Sequence, residues 1–358
     1  MSFLDVAPHW LCPPGEGVYT VHTGSDKRLK LQKALYGDAP PREAWLAALA
    51  KLDSEQVAVF GVASDCGGGI QRGANWGPLF IREALLQDGT VLADIGDVRV
   101  IPHLLHDKYL NAETISSCRK ALYGSHDKAW PVSPLSIAEA ALTELHKKFP
   151  QLRVLSFGGD HSVSFPLVSA WAKARKGKKL ALLHFDAHTD LLDTRLGIDL
   201  CFGSWTYHVR EFFPSHDQLI QVGIRATGKD RGHWEAMGLT QHWASDIKTR
   251  GMSAVTQDVI SAYKRAGVEE VYISFDIDAL DGQWAAATGT PEDQGLDPVA
   301  CAEMIRLVAA EFPVTGADLM EVAPMVNHDF MPNISQETTL MTAASMARIL
   351  ARAMGSDA

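Results

Sequence analysis

The sequence is poor in cysteine, in basic clusters and in long apolar runs, and each shortage excludes a class of protein. Five cysteines among 358 residues are scattered, odd in number and without CxxC spacing, which excludes a disulfide framework and a zinc ribbon. Basic residues number 33 against 43 acidic ones, and the formal net charge of -10 disfavours binding to a nucleic-acid backbone. The basic run KARKGKK at 173–179 is interpreted as a solvated surface.

The chain also lacks the apolar segments that membranes and secretion require. No apolar run is long enough to cross a bilayer, and MSFLDVAPHWLCPPGEG carries acids and prolines where a signal peptide needs an unbroken apolar core. With 46% hydrophobic residues there is still ample material for a large globular core. We therefore expect a cytoplasmic protein with neither a membrane nor a nucleic-acid partner.

What the chain does contain is a repeated alternation of short apolar runs and helical patterns. Runs typical of buried parallel strands occupy 56–62, 153–159, 179–188, 218–224, 270–278 and 314–322. Helical patterns occupy 42–52, 137–149, 165–175 and 255–267. The alternation predicts one α/β domain over residues 55–358, with a mostly parallel sheet. Residues 1–54 are predicted to form an irregular arm that packs on this domain or on a neighbouring subunit, and residues 97–134 a long loop.

Three of the predicted strands end in residue types that bind metal ions. In HFDAHTD at 184–190, two aspartates and a histidine alternate with smaller residues, so they would share one strand face. FGGDHS at 157–162 and SFDIDALD at 274–281 end two further strands. Because ligands of open parallel sheets bind beyond the carboxyl ends of the strands, these side chains should meet in one crevice. The six expected ligands are His161, Asp186, His188, Asp190, Asp276 and Asp278.

Each motif alone is also consistent with solvated strand-end acids or a capping histidine, but the three together favour a metal site. Buried carboxylates repel one another unless cations hold them. An oxygen-rich set of aspartates and histidines suits a pair of Mn²⁺-like ions better than thiolate-binding zinc. Two such ions, roughly 3.5 to 4 Å apart, make a shared water acidic enough to act as a nucleophile near neutral pH.

In this order, GGDHS, FDAHTD and SFDIDALD resemble the three signatures of the ureohydrolase (arginase/agmatinase) family. ATGTPEDQGL at 287–296 and DLMEVAP at 318–324 strengthen the resemblance, and residues 61–85 are closer to the agmatinase pattern than to the arginase one. The resemblance covers about residues 55–350. It implies an arginase-like three-layer α/β/α fold with about eight strands. It also implies a binuclear metal centre, with Mn²⁺ expected first and Ni²⁺ as the alternative, and a homotrimer or homohexamer.

The resemblance further implies a role for each site residue. One ion would be held by His161, Asp186, Asp190 and Asp276, and the other by Asp186, His188, Asp276 and Asp278, so that Asp186 and Asp276 bridge the two. Asp190 would relay a proton, and Glu321 would hold a guanidinium group by paired hydrogen bonds. The implied reaction is hydrolysis of a C–N bond in a linear amidine, which releases urea or a urea-like product and an amine or ammonia.

The loop after Asp190 departs from the family pattern. Relatives carry a histidine before a glycine there, whereas Phe202 precedes Gly203 in this chain, and a phenyl ring cannot transfer a proton. This replacement argues against arginine as the substrate, and an apolar ring favours a small or alkylated guanidinium. The candidates are guanidine, an N-alkylguanidine or biguanide, a guanidino acid and agmatine, with Phe202 and Ser204 expected beside the substrate. His208 in the same loop is interpreted as structural.

Two other functions fit the same motifs. A formimidoylglutamase-type enzyme would use the same site on a formimino group and release formamide instead of urea. A non-catalytic subunit would bind metal and complete a hetero-oligomer with an active paralogue. Activity of the purified single chain, and the identity of the product, distinguish the three.

Overall fold

A computed structural model describes residues 2–18, 22–54, 56–69, 71–328 and 336–356 of the chain. Within these ranges nine strands form one sheet in the order β1-β3-β2-β4-β9-β8-β5-β6-β7. Their bounds are β1 Leu11–Cys12, β2 Val57–Gly61, β3 Ala93–Val98, β4 Arg153–Phe157, β5 Leu180–Phe185, β6 Leu219–Ile224, β7 Thr240–Trp243, β8 Glu270–Asp276 and β9 Val314–Met320. All neighbours are parallel except β1, which runs antiparallel to β3.

Helices cover both faces of this sheet. In the described ranges they are α1 Phe3–Trp10, α2 Ser25–Tyr36, α3 Pro41–Leu49, α4 Gly77–Gln87, α5 Ala112–Tyr123, α6 Pro134–Lys148, α7 Ser164–Ala174, α8 Trp205–Val209, α9 Arg231–Glu235, α10 Ala244–Arg250, α11 Met252–Ala266, α12 Pro298–Glu311 and α13 Gln336–Ala353. Helices α4, α11, α12 and α13 build one apolar core, and α1, α3, α6 and α7 build the other. The three-layer α/β/α architecture predicted from the sequence is therefore confirmed.

Strand residues alternate between the two cores, which is why the buried strands read as continuous apolar runs. In β5, for example, Leu180 and Leu182 face one core while Ala181 and Leu183 face the other. All six predicted strands are present, with ends that differ by a few residues from the predicted ones. None of the described helices is both apolar enough and long enough to span a bilayer.

Three strands were not predicted, because their sequences carry charges or are very short. β3 contains Asp94 and Asp97, whose side chains have little exposure and both pair with Arg82 of α4, at 2.7 and 2.5 Å. Asp97 also accepts hydrogen bonds from the backbone N–H groups of Gly15 and Gly17, at 2.8 and 3.1 Å. A charged strand of this kind becomes stable only when a partner distant in sequence satisfies it.

Two segments are more regular than the sequence suggested. α3 matches the helical pattern predicted at 42–52. The part of the N-terminal segment before it was expected to be irregular, but where it is described it forms α1, β1 and α2; α1 packs on α6 and β1 extends the sheet. The prediction of a long loop over 97–134 was also wrong in part, because α5 lies within it. Asn111 caps α5, its side-chain oxygen accepting from the Thr114 N–H at 2.8 Å, and Gly124 ends the helix in a left-handed conformation.

Candidate metal centre

The three metal-type motifs begin with the same local structure at the ends of β4, β5 and β8. In each, the carboxylate of an aspartate accepts a hydrogen bond from the backbone N–H two residues later, which makes an Asx turn. The pairs are Asp160 with Ser162 at 2.9 Å, Asp186 with His188 at 2.6 Å, and Asp276 with Asp278 at 2.8 Å. The sequences Asp-x-Ser, Asp-x-His and Asp-x-Asp therefore each form a turn directly after a strand.

This local structure corrects one expectation. Residues 186 to 190 were expected to alternate on the face of a strand, but β5 ends at Phe185 and the ligand-type residues lie in the turn beyond it. Asp190 has a φ of 51°, a left-handed conformation that aspartate tolerates better than most residues. The side chains converge because the turn folds back on itself, and strand alternation is not the cause.

The first group of side chains surrounds His161. Its Nδ1 lies 3.2 Å from Asp186 Oδ2, 3.3 Å from Asp190 Oδ2 and 2.9 Å from Asp276 Oδ2, and all four residues are buried. Despite these short distances, Nδ1 has no partner with hydrogen-bond geometry among the described residues. Three carboxylate oxygens thus converge on one imidazole nitrogen, and none of them is placed to accept its proton. This arrangement is the one expected of ligand atoms that surround a single cation.

The second group surrounds His188. Its Nδ1 lies 3.4 Å from Asp186 Oδ1 and 3.1 Å from Asp278 Oδ2. Asp186 therefore directs one oxygen to each group, while Asp276 directs Oδ2 to His161 and uses Oδ1 in its turn. The six predicted ligands lie together as two adjacent sets joined by Asp186, and a bridging role for Asp276 stays a prediction.

The buried carboxylates of the centre lie so close together that a positive charge between them would be stabilised. Burial and the neighbouring Asp186 carboxylate raise the pKa of Asp190 well above its usual value, and burial with Asp278 does the same to Asp276. Burial opposes ionisation of His161, but the surrounding carboxylates of Asp186, Asp276 and Asp190 outweigh it and raise the pKa of that imidazole well above its usual value. Carboxylates so crowded retain protons unless a cation neutralises them, so the oxygen-rich donor set fits divalent metal ions.

An outer layer of residues orients the ligand-type side chains. His161 Nε2 contacts Ser274 Oγ at 3.0 Å, and the Ser274 hydroxyl donates to Asp318 at 2.7 Å, which leaves Nδ1 facing the carboxylates. Trp205 donates its indole N–H to Asp190 Oδ2 at 2.8 Å and stacks on the His161 ring with centroids 4.8 Å apart. Such outer contacts hold ligands in one orientation before a metal ion arrives.

His184, the first residue of HFDAHTD, also belongs to this outer layer. It is fully buried, its Nε2 lies 2.9 Å from Asp186 Oδ2, and its Nδ1 lies 2.9 Å from the Gln221 side-chain amide. A metal ion could reach the atoms of His184, since they lie within 4.8 Å of those of His161, Asp186 and Asp190. We nevertheless place it outside the ligand set, because both of its ring nitrogens already have partners.

Glu321 lies at the end of β9 and faces the same crevice. It is buried, its Oε1 accepts from the His161 backbone N–H at 2.8 Å, and its φ of 60° is a left-handed conformation that glutamate rarely adopts. Burial, followed by the Asp276 and Asp160 carboxylates, raises its pKa well above the usual value. A buried carboxylate held in a strained backbone conformation is suited to receive a cationic group.

A glycine pair in the FGGDHS turn allows the strand ends to approach one another closely. A Cβ atom at Gly159 would lie only 1.6 Å from the Ser64 backbone oxygen, in the loop after β2. We expect Gly159→Ala to lower the free energy of unfolding by about 2 to 4 kcal/mol, because backbone must move to accept the methyl group. Urea denaturation of the metal-free protein measures this. Gly228→Ala is the control, since no atom lies within 4 Å of its Cβ position, and an equal loss of stability in both variants would contradict the steric argument.

The loop that contains Phe202 is positioned by hydrogen bonds to backbone groups. Phe202 is half-buried, donates its N–H to the Gly67 carbonyl at 2.9 Å, and carries the Arg195 guanidinium 4.9 Å from its ring centroid. Ser204 is fully buried, and its hydroxyl hydrogen-bonds to the Asp199 carbonyl and the Cys201 N–H, so its substrate contact stays a prediction. His208 Nε2 contacts the Asp193 and Asp199 carbonyls at 3.1 and 3.0 Å, in agreement with a structural role.

Two acidic residues beside the centre were not singled out from the sequence. Asp160 is fully buried, and burial, together with the nearby Asp65 carboxylate, raises its pKa to about 7. It accepts the Gly67 N–H at 3.0 Å, whereas Asp65 accepts the N–H groups of Gly73 and Ala74 at 2.5 and 3.1 Å. The Asp-x-polar spacing that Asp160 shares with Asp186 and Asp276 could have identified it from the sequence. The residues around Asp65 in the sequence do not distinguish it from an acid on the surface.

Comparison with known proteins agrees with this geometry. The arginase family model matches residues 55–354. The chain is 32% identical over 285 residues to the mitochondrial guanidino acid hydrolase of Homo sapiens, covering 75% of this chain and 71% of that protein. It is 32% identical over 297 residues to the agmatinase of Chromobacterium violaceum, covering 83% of each. The structure of proclavaminate amidino hydrolase from Streptomyces clavuligerus superposes with a TM-score of 0.65 at 22% identity, covering 85% of this chain and 93% of that one, which supports the fold.

The chain therefore belongs to the arginase family and is a hydrolase acting on the C–N bonds of amidines. Its relatives place it more narrowly among the ureohydrolases of the agmatinase-like branch. Enzymes of this family use a binuclear metal centre, and the buried His/Asp cluster lies where the three signatures meet. The family and branch predicted from the motifs are confirmed.

Proposed function

We propose that the chain hydrolyses a small guanidino compound other than arginine, with two divalent metal ions held by His161, Asp186, His188, Asp190, Asp276 and Asp278. The observation that carries this proposal is the division of the cluster by Asp186. One of its oxygens faces His161 and the other faces His188, so a single carboxylate serves two adjacent groups of ligand atoms. Each group contains a histidine and at least one further carboxylate.

When bound, a pair of such ions supplies an activated water and neutralises the charge that develops on the substrate. The reaction that this chemistry would serve is the addition of water to the guanidinium carbon with cleavage of one of its C–N bonds, which would give urea and a protonated amine. Asp190 is assigned the proton relay, because it lies among the ligands beside His161. Glu321 is assigned the guanidinium group, because a carboxylate offers this planar cation two hydrogen-bond acceptors.

Names of the relatives support a guanidino substrate without selecting one. They include an agmatinase, a guanidino acid hydrolase and a guanidinobutyrase. The candidates remain guanidine, N-alkylguanidines or biguanides, guanidino acids and agmatine. We also propose Mn²⁺ as the native metal with Ni²⁺ as the alternative, a cytoplasmic location, and a homotrimer or homohexamer.

A urea-release screen of the purified chain tests the proposal. Metal-free protein is loaded separately with Mn²⁺ and Ni²⁺ and incubated with each candidate, with arginine included, and urea and formamide are both measured. Metal-dependent urea from at least one guanidino compound is the expected result. Formamide from a formimino substrate would move the assignment to the formimidoylglutamase type. No product from the single chain, with activity restored by a paralogous subunit, would make it a partner in a hetero-oligomer.

Replacing Phe202 by histidine is expected to lower kcat/KM on the preferred substrate by about tenfold and to raise the activity on agmatine relative to it. The apolar ring would be lost from the pocket, and a titratable imidazole would take its place. Phe202→Leu separates these effects, because it removes the ring without adding a proton carrier. A wild-type enzyme that prefers arginine by an order of magnitude would contradict the role given to Phe202.

A further inference from the structure

We propose that Arg195 binds a carboxylate on the tail of the substrate, so that the preferred substrates are ω-guanidino carboxylic acids. This inference rests on the proposed function, because the guanidino end of the same molecule is assigned to Glu321 and the metal-binding residues. The inference extends the proposed function in two ways: it gives the chemical group at the other end of the substrate, and it names the residue of this chain that selects that group.

A cavity of about 480 Å³ lies between the loop after β2 and the loop that carries Phe202. Its walls are the glycine loop 67–69, the segment 103–110 and the loop 195–202. The lining is mainly apolar, with two histidines, His103 and His106. Among the lining residues that the structure describes, Arg195 is the one permanent charge, and none is an acid. A tail that enters this cavity therefore meets apolar walls and a single cation.

One wall of the cavity is connected to the candidate metal centre through two hydrogen bonds. Phe202 donates its backbone N–H to the Gly67 carbonyl at 2.9 Å. Gly67 in turn donates its N–H to Asp160 Oδ2 at 3.0 Å, and Asp160 directly precedes His161. Gly67 thus contacts both the cavity-lining Phe202 and the residue before His161, and the proposal places the tail of the guanidino compound in this cavity.

A tight hairpin positions Arg195 at this cavity. Arg195 and Ile198 exchange backbone hydrogen bonds of 2.8 and 3.0 Å, and the two residues between them, Leu196 and Gly197, have φ values of 52° and 83°. Left-handed conformations at both central residues are typical of a two-residue hairpin turn. Leu196 is 99% exposed, so burial of its side chain does not account for the strained conformation. The turn fixes the backbone from which the Arg195 side chain reaches the Phe202 ring.

The Arg195 guanidinium is available for a ligand. It lies 4.9 Å from the Phe202 ring centroid, and it forms neither an ion pair nor a side-chain hydrogen bond with the described residues. The nearby cation Lys108, by contrast, already pairs with Asp199 at 2.9 Å. A guanidinium supported by a ring presents paired donors that match a carboxylate. The ammonium tail of agmatine would be repelled by Arg195 and would find no acid among the described lining residues.

The test compares three guanidino compounds with four-carbon tails: 4-guanidinobutyrate, N-butylguanidine and agmatine. The Mn²⁺-loaded and Ni²⁺-loaded full chain is assayed by urea release, and binding is measured by calorimetry. The variants are Arg195→Met, which keeps an apolar stem over Phe202, and Arg195→Glu, which reverses the charge. Arg210→Met is the matched control, because Arg210 also lies over a ring, that of Tyr207 at 3.5 Å, but does not line the cavity.

We expect Arg195→Met to lower kcat/KM for 4-guanidinobutyrate by about tenfold to thirtyfold, the value of a charge-assisted hydrogen bond at a partly solvated site. The loss should be in KM, because the tail contact is equal in the ground and transition states. N-butylguanidine should change by less than about twofold, and Arg195→Glu should shift the preference toward agmatine. Arg210→Met should leave all three compounds within about twofold of wild type.

Equal use of N-butylguanidine and 4-guanidinobutyrate by the wild type, or an unchanged ratio in Arg195→Met, would overturn the inference and leave the proposed function standing. If neither these three compounds nor the other candidates of the urea-release screen give urea, but 4-guanidinobutyrate binds more tightly than N-butylguanidine and only while Arg195 is present, the tail recognition holds and the proposed reaction fails. Without urea from any compound of the full screen and without Arg195-dependent binding, both are wrong.

Discussion

Replacing Asp186 by asparagine is expected to abolish urea release and to reduce the bound metal from about two ions per chain to one or fewer. Asp186 is fully buried, and its two oxygens lie 3.2 Å from His161 Nδ1 and 3.4 Å from His188 Nδ1. Asparagine keeps the shape but removes the negative charge and one of the two acceptor oxygens. Because both groups of ligands depend on this carboxylate, we expect kcat/KM to fall by at least about a thousandfold.

The measurement is metal content by mass spectrometry together with urea release under saturating Mn²⁺. Asp193→Asn is the matched control, since Asp193 is an exposed acid in the loop that follows Asp190 and its carboxylate bonds to the adjacent Thr194 N–H. That variant should keep the full metal content and activity. Two ions per chain and normal turnover in Asp186→Asn would show that the metal assignment is wrong.

Replacing Glu321 by glutamine should leave the metal content near that of the wild type. It should lower kcat/KM, and the loss should correspond to about 2 to 4 kcal/mol of transition-state stabilisation. The carboxylate lies at the end of β9 and accepts the His161 N–H at 2.8 Å, but it is not among the oxygens that converge on either histidine ring. Glutamine retains the acceptor oxygen for that N–H and loses the charge that would hold a guanidinium. Both binding and turnover should therefore weaken.

Glu303→Gln provides the control for Glu321, because Glu303 is an exposed acid on α12 whose partner is the nearby Arg306. It should not change kcat/KM measurably. Calorimetry with a non-hydrolysed guanidinium compound separates the loss of binding from the loss of turnover. A loss of metal in Glu321→Gln would place this residue among the metal ligands and remove its assignment to the substrate.

The six central strands of the sheet could be predicted from the pattern of apolar residues in the sequence. Buried parallel strands are apolar on both faces, so the central strands β2, β4, β5, β6, β8 and β9 stood out as continuous apolar runs. The strands at and near the edges of the sheet did not. β3 carries Asp94 and Asp97, whose burial depends on Arg82, and β7 is a short segment that contains polar residues. Edge strands are only partly buried, so their sequences need not be apolar.

The six ligand-type residues followed from short spacings in the sequence, and the family and enzyme class followed from the resemblance of the three motifs that contain them. An aspartate that accepts the N–H two residues later makes a turn at a strand end whatever the rest of the chain does. The parallel sheet then brings three such turns to one edge.

The tertiary structure alone decided which other residues join that centre and what lies beside it. Trp205 contacts Asp190, Phe202 is tied to Gly67, and Arg195 lies over Phe202, yet none of these contacts has a regular spacing or period in the sequence. Each depends on loops whose conformations are set by residues far along the chain, such as the glycines after β2 that allow close backbone approach. Local pattern therefore specifies the strand ends and the ligand-type residues that follow them, whereas the cavity proposed to select the substrate forms only when the loops pack against one another.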